Sequence, residues 1–159
     1  MTAAALGSSL LAGKVDMILT FALTAVSVKR QAKAMGREGG EIPYRPEARA
    51  KQQENLEHWL ERDPAVKCYM PGVPRATSIP MPFQIIQSET DVFIAYQFAG
   101  AVRDIYMDNP GPSQVDSWMG WSVGTWEGDT LVVDVTGLGD GSWLDRAGSH
   151  HSYRLHVVE

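Results

Sequence analysis

A chain of 159 residues has room for one domain with a substantial core and is short for two, and 44% hydrophobic with 21% charged residues is an ordinary globular composition. The net charge of −5 and pI near 5.3 argue against a nucleic-acid backbone or an anionic membrane surface as the main partner. The lone Cys68 excludes an internal disulfide and a Cys-based zinc cage, while fifteen Gly and nine Pro favour a turn-rich, mainly β chain.

Residues 1–34 form an N-terminal apolar segment with two readings. The run Met17 to Val28 has the length of a signal-peptide core, and Ala32-Lys33-Ala34 places small residues where a peptidase cuts. The alternative is a helix or strand docked on the domain, because Val15, Met17, Leu19, Phe21 and Leu23 alternate with period two. Residues 35–82 supply a linker, a helix and a covering loop. The spacing predicts a helix over Pro46 to Arg62, begun near Pro46 and stopped by Asp63-Pro64. Its narrow stripe of Leu56, Trp59 and Leu60 is expected to lie against the sheet, with a helix-mediated partner contact as the alternative, and Glu47 with Lys51 makes an i,i+4 pair. Dense prolines from Asp63 to Pro82 predict extended loop rather than helix, with Cys68 packed within it.

Residues 83–159 read as an antiparallel β domain. Phe83 to Gln87, Val92 to Phe98 and Ala101 to Met107 are three strands of a meander, and the middle one, apolar at both alternating sets, is expected to be covered on both faces. After a loop at Asp108 to Ser113, residues 120–136 form a hairpin about Glu127-Gly128-Asp129. An odd, three-residue loop aligns Trp121 and Val123 with Leu131, Val133 and Val135 as the core face and leaves Ser122 and Asp134 opposite. Gly137 to Ser149 is loop, and His151 to Glu159 a last strand. The fold class is mainly β: a curved sheet or partly open barrel of roughly six strands, with one helix.

The densest set of reactive side chains is Asp134, Asp140, Asp145, His150, His151 and His156. His151 with Asp145 or Asp134 is the candidate acid–base pair, since imidazole and carboxylate can pass a proton near neutral pH. Arg103, Ser122, Trp143 and His156 are candidate ligand-binding side chains, and the tryptophans can fill a core or line a pocket for a ring-shaped ligand. No metal-ligand spacing is present and no cofactor is implied.

Several motifs together carry a resemblance: Asp63-Pro64 with Cys68, Pro71-Gly72-x-Pro74-Arg75, Pro82-Phe83, Arg103 with Ile105-Tyr106-Met107-Asp108, Gly120 before Ser122-Val123-Gly124, Trp126-Glu127-Gly128-Asp129-Thr130-Leu131-Val132-Val133-Asp134, Trp143-Leu144-Asp145, and His151-Ser152 with Leu155 to Glu159. Over Tyr44 to Glu159 the chain resembles a family of uncharacterised, often exported, β-rich proteins of soil bacteria such as Acidobacteria and Proteobacteria. The resemblance implies a periplasmic or exported β domain without an established activity. It also implies further strands after Glu159, so that the chain looks like a truncated member.

The function expected is a β domain that binds a small molecule between the tryptophan-rich hairpin, the Pro-rich loop and the Gly137 to His151 loop. Alternatives are an enzyme (lyase, isomerase or hydrolase) using the His/Asp pair, and a structural or interaction protein that pairs, as a homo-oligomer or otherwise, through an open sheet edge. No nucleic acid and no membrane embedding of the β domain are expected.

Overall fold

The computed structural model describes residues 43–159 and the backbone of Leu19–Phe21. The rest of the N-terminal apolar segment, with the signal-peptide reading that falls on it, lies outside the described residues. Seven strands form one sheet in chain order: β1 (Leu19–Phe21), β2 (Phe83–Gln87), β3 (Asp91–Tyr96), β4 (Val102–Tyr106), β5 (Trp121–Glu127), β6 (Thr130–Thr136) and β7 (Val157–Val158). The sheet stays open, β1 and β7 being its two edges, so the barrel alternative does not hold. It is also mixed: β4 pairs with β5 in parallel, through Ile105↔Ser122 and Tyr106↔Val123. A parallel neighbour needs a crossover of about a dozen residues or more, and the loop 107–120 supplies it.

The meander β2–β3–β4 matches the sequence expectation. Ser88 closes its first turn, the Oγ accepting from the Thr90 and Asp91 amides at 3.2 and 2.9 Å. No residue of β3 is exposed, as its double apolar alternation predicts. The last strand is shorter than expected: Val157–Val158 pairs with β6, and Glu159 exchanges backbone hydrogen bonds with Val133.

The hairpin corrects the register. Glu127 pairs with Thr130, so the loop is the two residues Gly128-Asp129, with Gly128 at φ 62°. A positive φ at the first loop residue alone is the type II′ pattern, which glycine adopts without strain. With an even loop, Ser122 and Gly124 share the core face with Val133 and Val135, while Trp121 and Val123 lie on the other face with Asp134. Aligning the bulkiest apolar residues fails here because the space beneath β5 is already filled. A Cβ on Gly124 would sit 2.6 Å from Met107 Sδ and 2.9 Å from Ile105 Cγ2. Trp121 instead packs on Tyr106, ring centroids 4.5 Å apart, and its indole N–H donates to the Gly111 carbonyl at 2.9 Å.

Helices cover the core face in an unexpected way. α1 (Pro46–Glu57) and α2 (Trp59–Arg62) occupy the predicted helix with a break at His58, but neither brings an apolar stripe to the sheet. That role falls to α3 (Val73–Ser78), inside the segment expected to be loop. Pro74 sits in the first turn of α3, where a missing N–H breaks no helical bond. Val73 and Ala76 join the sheet's core of Val92, Ile105, Val133, Val135, Leu138, Tyr96 and Ala101. Cys68 is exposed rather than packed, holding a left-handed φ of 61° after a 3-10 turn at Pro64–Lys67.

α3 is fixed by a buried ion pair. Arg75 Nη1 and Nη2 donate to Asp63 Oδ1 and Oδ2 at 2.7 and 2.8 Å, and Asp63 also caps the Ala65 amide at 2.8 Å. Burial by itself raises the Asp63 pKa, but the hydrogen bonds from Arg75 and Ala65, with the charges of Arg75 and Arg146, outweigh it and leave the value below the ordinary 3.8.

Two outcomes follow for stability in urea titrations. Gly124→Val is expected to lower it by about 1–3 kcal/mol through overpacking against Ile105 and Met107. Asp63→Asn is expected to cost about 3–5 kcal/mol near neutral pH, because it leaves Arg75 buried without its counter-charge. Since the folded-state pKa of Asp63 is depressed, the stability it contributes is complete above the ordinary 3.8 and disappears as pH falls through the lower folded value. The gap between wild type and Asp63→Asn therefore narrows on the acid side.

Candidate functional site

The side chains singled out by sequence separate into three clusters. The first is Arg103, 3% exposed, on the core face of β4. Its Nε donates to Ser122 Oγ at 2.9 Å and its Nη1 to Glu159 Oε2 at 2.6 Å. Arg103 and Ser122 are thus brought together, beneath the sheet, and Glu159 is a partner that sequence reasoning missed. Nothing local announces it: residues 103 and 159 meet only because β5 and β6 lie between them in the sheet.

The second cluster organises the 137–151 loop. Asp145, also 3% exposed, accepts at Oδ1 from the Ala147 and Ser149 amides (2.8 and 3.2 Å) and at Oδ2 from the Ser149 hydroxyl (2.6 Å). The single Ser149 hydroxyl proton goes to this carboxylate, so the Tyr44 hydroxyl, 2.5 Å away, donates to Ser149 Oγ. Burial holds the Tyr44 phenol above its ordinary 10.0, with the Asp145 charge on the same side and the Arg49 charge opposing. Arg49 lies 5.2 Å over the Tyr44 ring. Trp143 is buried and bridges to His150.

His151 is not paired with Asp145. Its Nδ1 faces the Ser152 carbonyl at 3.0 Å, which can only accept, so Nδ1 carries a proton. Its Nε2 lies 2.9 Å from Ser142 Oγ, and in the neutral ring that nitrogen accepts the serine proton. The geometry is that of a serine activated by histidine, but Ser142 is 1% exposed and Gly72 lies directly against it: a Cβ there would come 2.6 Å from Ser142 Oγ. The contact ties together the two ends of the bridged loop.

The third cluster is His156 with Asp134, Nε2 to Oδ2 2.7 Å, both about half exposed. Asp134 faces away from Ser122 across the sheet, so the two do not share a face as the odd loop would have had it. Among the described residues no group of three or more His, Cys, Asp or Glu could hold a metal ion, and no helix is long and apolar enough to cross a membrane.

Two surfaces remain. A shallow groove of about 390 Å³ runs over Pro82, Phe83, Gln84, Ala95, Tyr96 and Gln97, with no residue of the three clusters in its lining. The other is on the helices. α1 buries Gln52 and Asn55, which donate to the Ala147 and Gly148 carbonyls, the latter at 3.0 Å. Leu56, Trp59 and Leu60, expected against the sheet, are instead 46%, 47% and 63% exposed. The i, i+3, i+4 spacing of this stripe was legible; its exposure was not. The expected Glu47–Lys51 pair is replaced by Lys51–Glu54 at 3.7 Å. No family model, curated protein or solved structure matches the chain.

Removing the Asp145 carboxylate tests its reading as the anchor of this loop. Asp145→Ala leaves the Ala147 and Ser149 amides without their acceptor and is expected to cost about 1–3 kcal/mol, measured by urea denaturation. His151→Ala, which breaks only the contacts to Ser142 and to the Ser152 carbonyl, should cost less.

Proposed function

We propose that this chain is an interaction domain that binds a segment of another polypeptide through Leu56, Trp59 and Leu60. The observation that carries the reading is the inverted burial of the two helices: polar Gln52 and Asn55 of α1 are inside, while Leu56 at the end of α1 and Trp59 and Leu60 at the start of α2 are outside. Exposed apolar groups close together along the chain mark contact surfaces, and tryptophan is the residue type that most often dominates binding. The acid–base reading has weaker support, because His151, Asp145, Asp134 and His156 are each engaged in contacts within the fold.

A small-molecule reading keeps one supporting observation, the groove along Pro82–Gln84 and Ala95–Gln97, whose roughly 390 Å³ falls in the range of ligand sites. It lies elsewhere than the expected pocket, and none of Arg103, Ser122, Trp143 or His156 lines it.

Leu60→Asp places a charge in the stripe at its most exposed position, where the change should move stability by no more than about 0.5 kcal/mol. Random peptides displayed on phage and selected on the wild-type chain should yield clones that lose binding to Leu60→Asp. Clones that bind both proteins equally would remove the helix as the binding surface.

A further inference from the structure

Resting on the interaction reading, the charges around the stripe name the kind of partner. Of the acidic residues on these helices, Glu54 is engaged, its carboxylate lying 2.7 Å from Arg62 Nη2 and 3.7 Å from Lys51 Nζ. Among the described residues no ion pair engages Glu57 or Glu61. These two carboxylates line, together with His58, Trp59 and Leu60, a depression of about 150 Å³. Apolar side chains set beside unpaired carboxylates match a side chain that has an apolar stem and a cationic end. Lysine and arginine lay their methylenes on apolar surface while the charge reaches a polar rim, and either cation gains further from an indole face.

We infer that the partner is a basic amphipathic segment, apolar anchors on one face and Lys or Arg beside them, with one such cation seated between Glu57 and Glu61. A second copy of this chain is the poorer occupant: stripe against stripe would bring Glu57 and Glu61 of each copy towards those of the other, and the chain as a whole carries −5. Like charges set against each other suppress a contact, and opposite charges select it.

The test uses three synthetic amphipathic helices with one shared apolar face and Lys/Arg, Gln/Ser or Glu/Asp at the polar positions. Binding to the full chain is followed by anisotropy of a label on the peptide. The basic helix is expected to bind about tenfold tighter than the neutral one and the acidic helix weakest, a spread that shrinks with added salt. Trp59→Ala should weaken the basic and neutral helices alike, and Glu57→Gln with Glu61→Gln should abolish the preference between them. Equal binding of basic and neutral helices, both lost in Trp59→Ala, would overturn the basic partner while leaving the interaction surface in place. Basic-helix binding untouched by Trp59→Ala would overturn the inference by placing the contact elsewhere on the acidic surface. Failure of all three helices to bind would overturn both readings.

Discussion

The fold depends on a cation buried beneath its own sheet. Arg103 belongs to β4 but reaches Ser122 on β5 and Glu159 beyond β7, so one side chain spans the seam between the β2–β4 meander and the β5–β7 half. That seam needs a tie, because the parallel pairing across it is only two residues long. A guanidinium taken out of water is costly unless its charge and its N–H groups are met, and Glu159 and Ser122 meet most of the demand. The geometry then dictates composition: β5 must be lean on its inner face, and there it has serine and glycine. The hairpin register follows, since only the even loop turns Ser122 and Gly124 inward.

The same logic governs the carboxylates. Asp63 holds Arg75, Asp145 holds the Ala147 and Ser149 amides, and Asp134 meets His156. A chain with short strands and long connections has many backbone groups outside ladders, and buried ones require partners. Acid, serine and histidine side chains concentrate in the 137–151 loop because that loop folds back on the core with little secondary structure of its own. Density of reactive groups in a sequence therefore tracks irregular buried backbone as well as chemistry.

This explains what could be read in advance. Strand positions from Phe83 to Tyr106 and the limits of the 46–62 helix follow from local alternation, turn residues and proline stops, and they stand in the structure. Register and facing are decided non-locally. Trp121 and Val123 look like core residues until Arg103, Ile105 and Met107 are placed beneath β5. The prolines from 63 to 82 suggest loop until Asp63 and Arg75 close around a short helix whose proline falls in its first turn. Of the candidate site, the pairing of Arg103 with Ser122 and of His156 with Asp134 needed the sheet order, and no local pattern encodes it. The stripe Leu56, Trp59, Leu60 was plain in the sequence, but apolar spacing says only that a face exists, not what covers it.

Why these residues face outward follows from what holds the helix. The first turns of α1 offer only Ala48 and Ala50 as apolar groups, too little surface to dock a helix by burial alone. The helix is held instead by Gln52 and Asn55 on the carbonyls of Ala147 and Gly148, and the fit is close: a Cβ on Gly148 would meet Asn55 Cβ at 2.8 Å and the Gln52 carbonyl oxygen at 2.9 Å. Those carbonyls are aimed by Asp145, through the amides of Ala147 and Ser149, and Tyr44 completes the chain from just before α1. A buried carboxylate thus orients a loop, the loop orients a helix, and the helix presents its apolar residues outward. Hydrogen bonds are directional where apolar burial is not, so a helix docked by them can leave its apolar residues exposed.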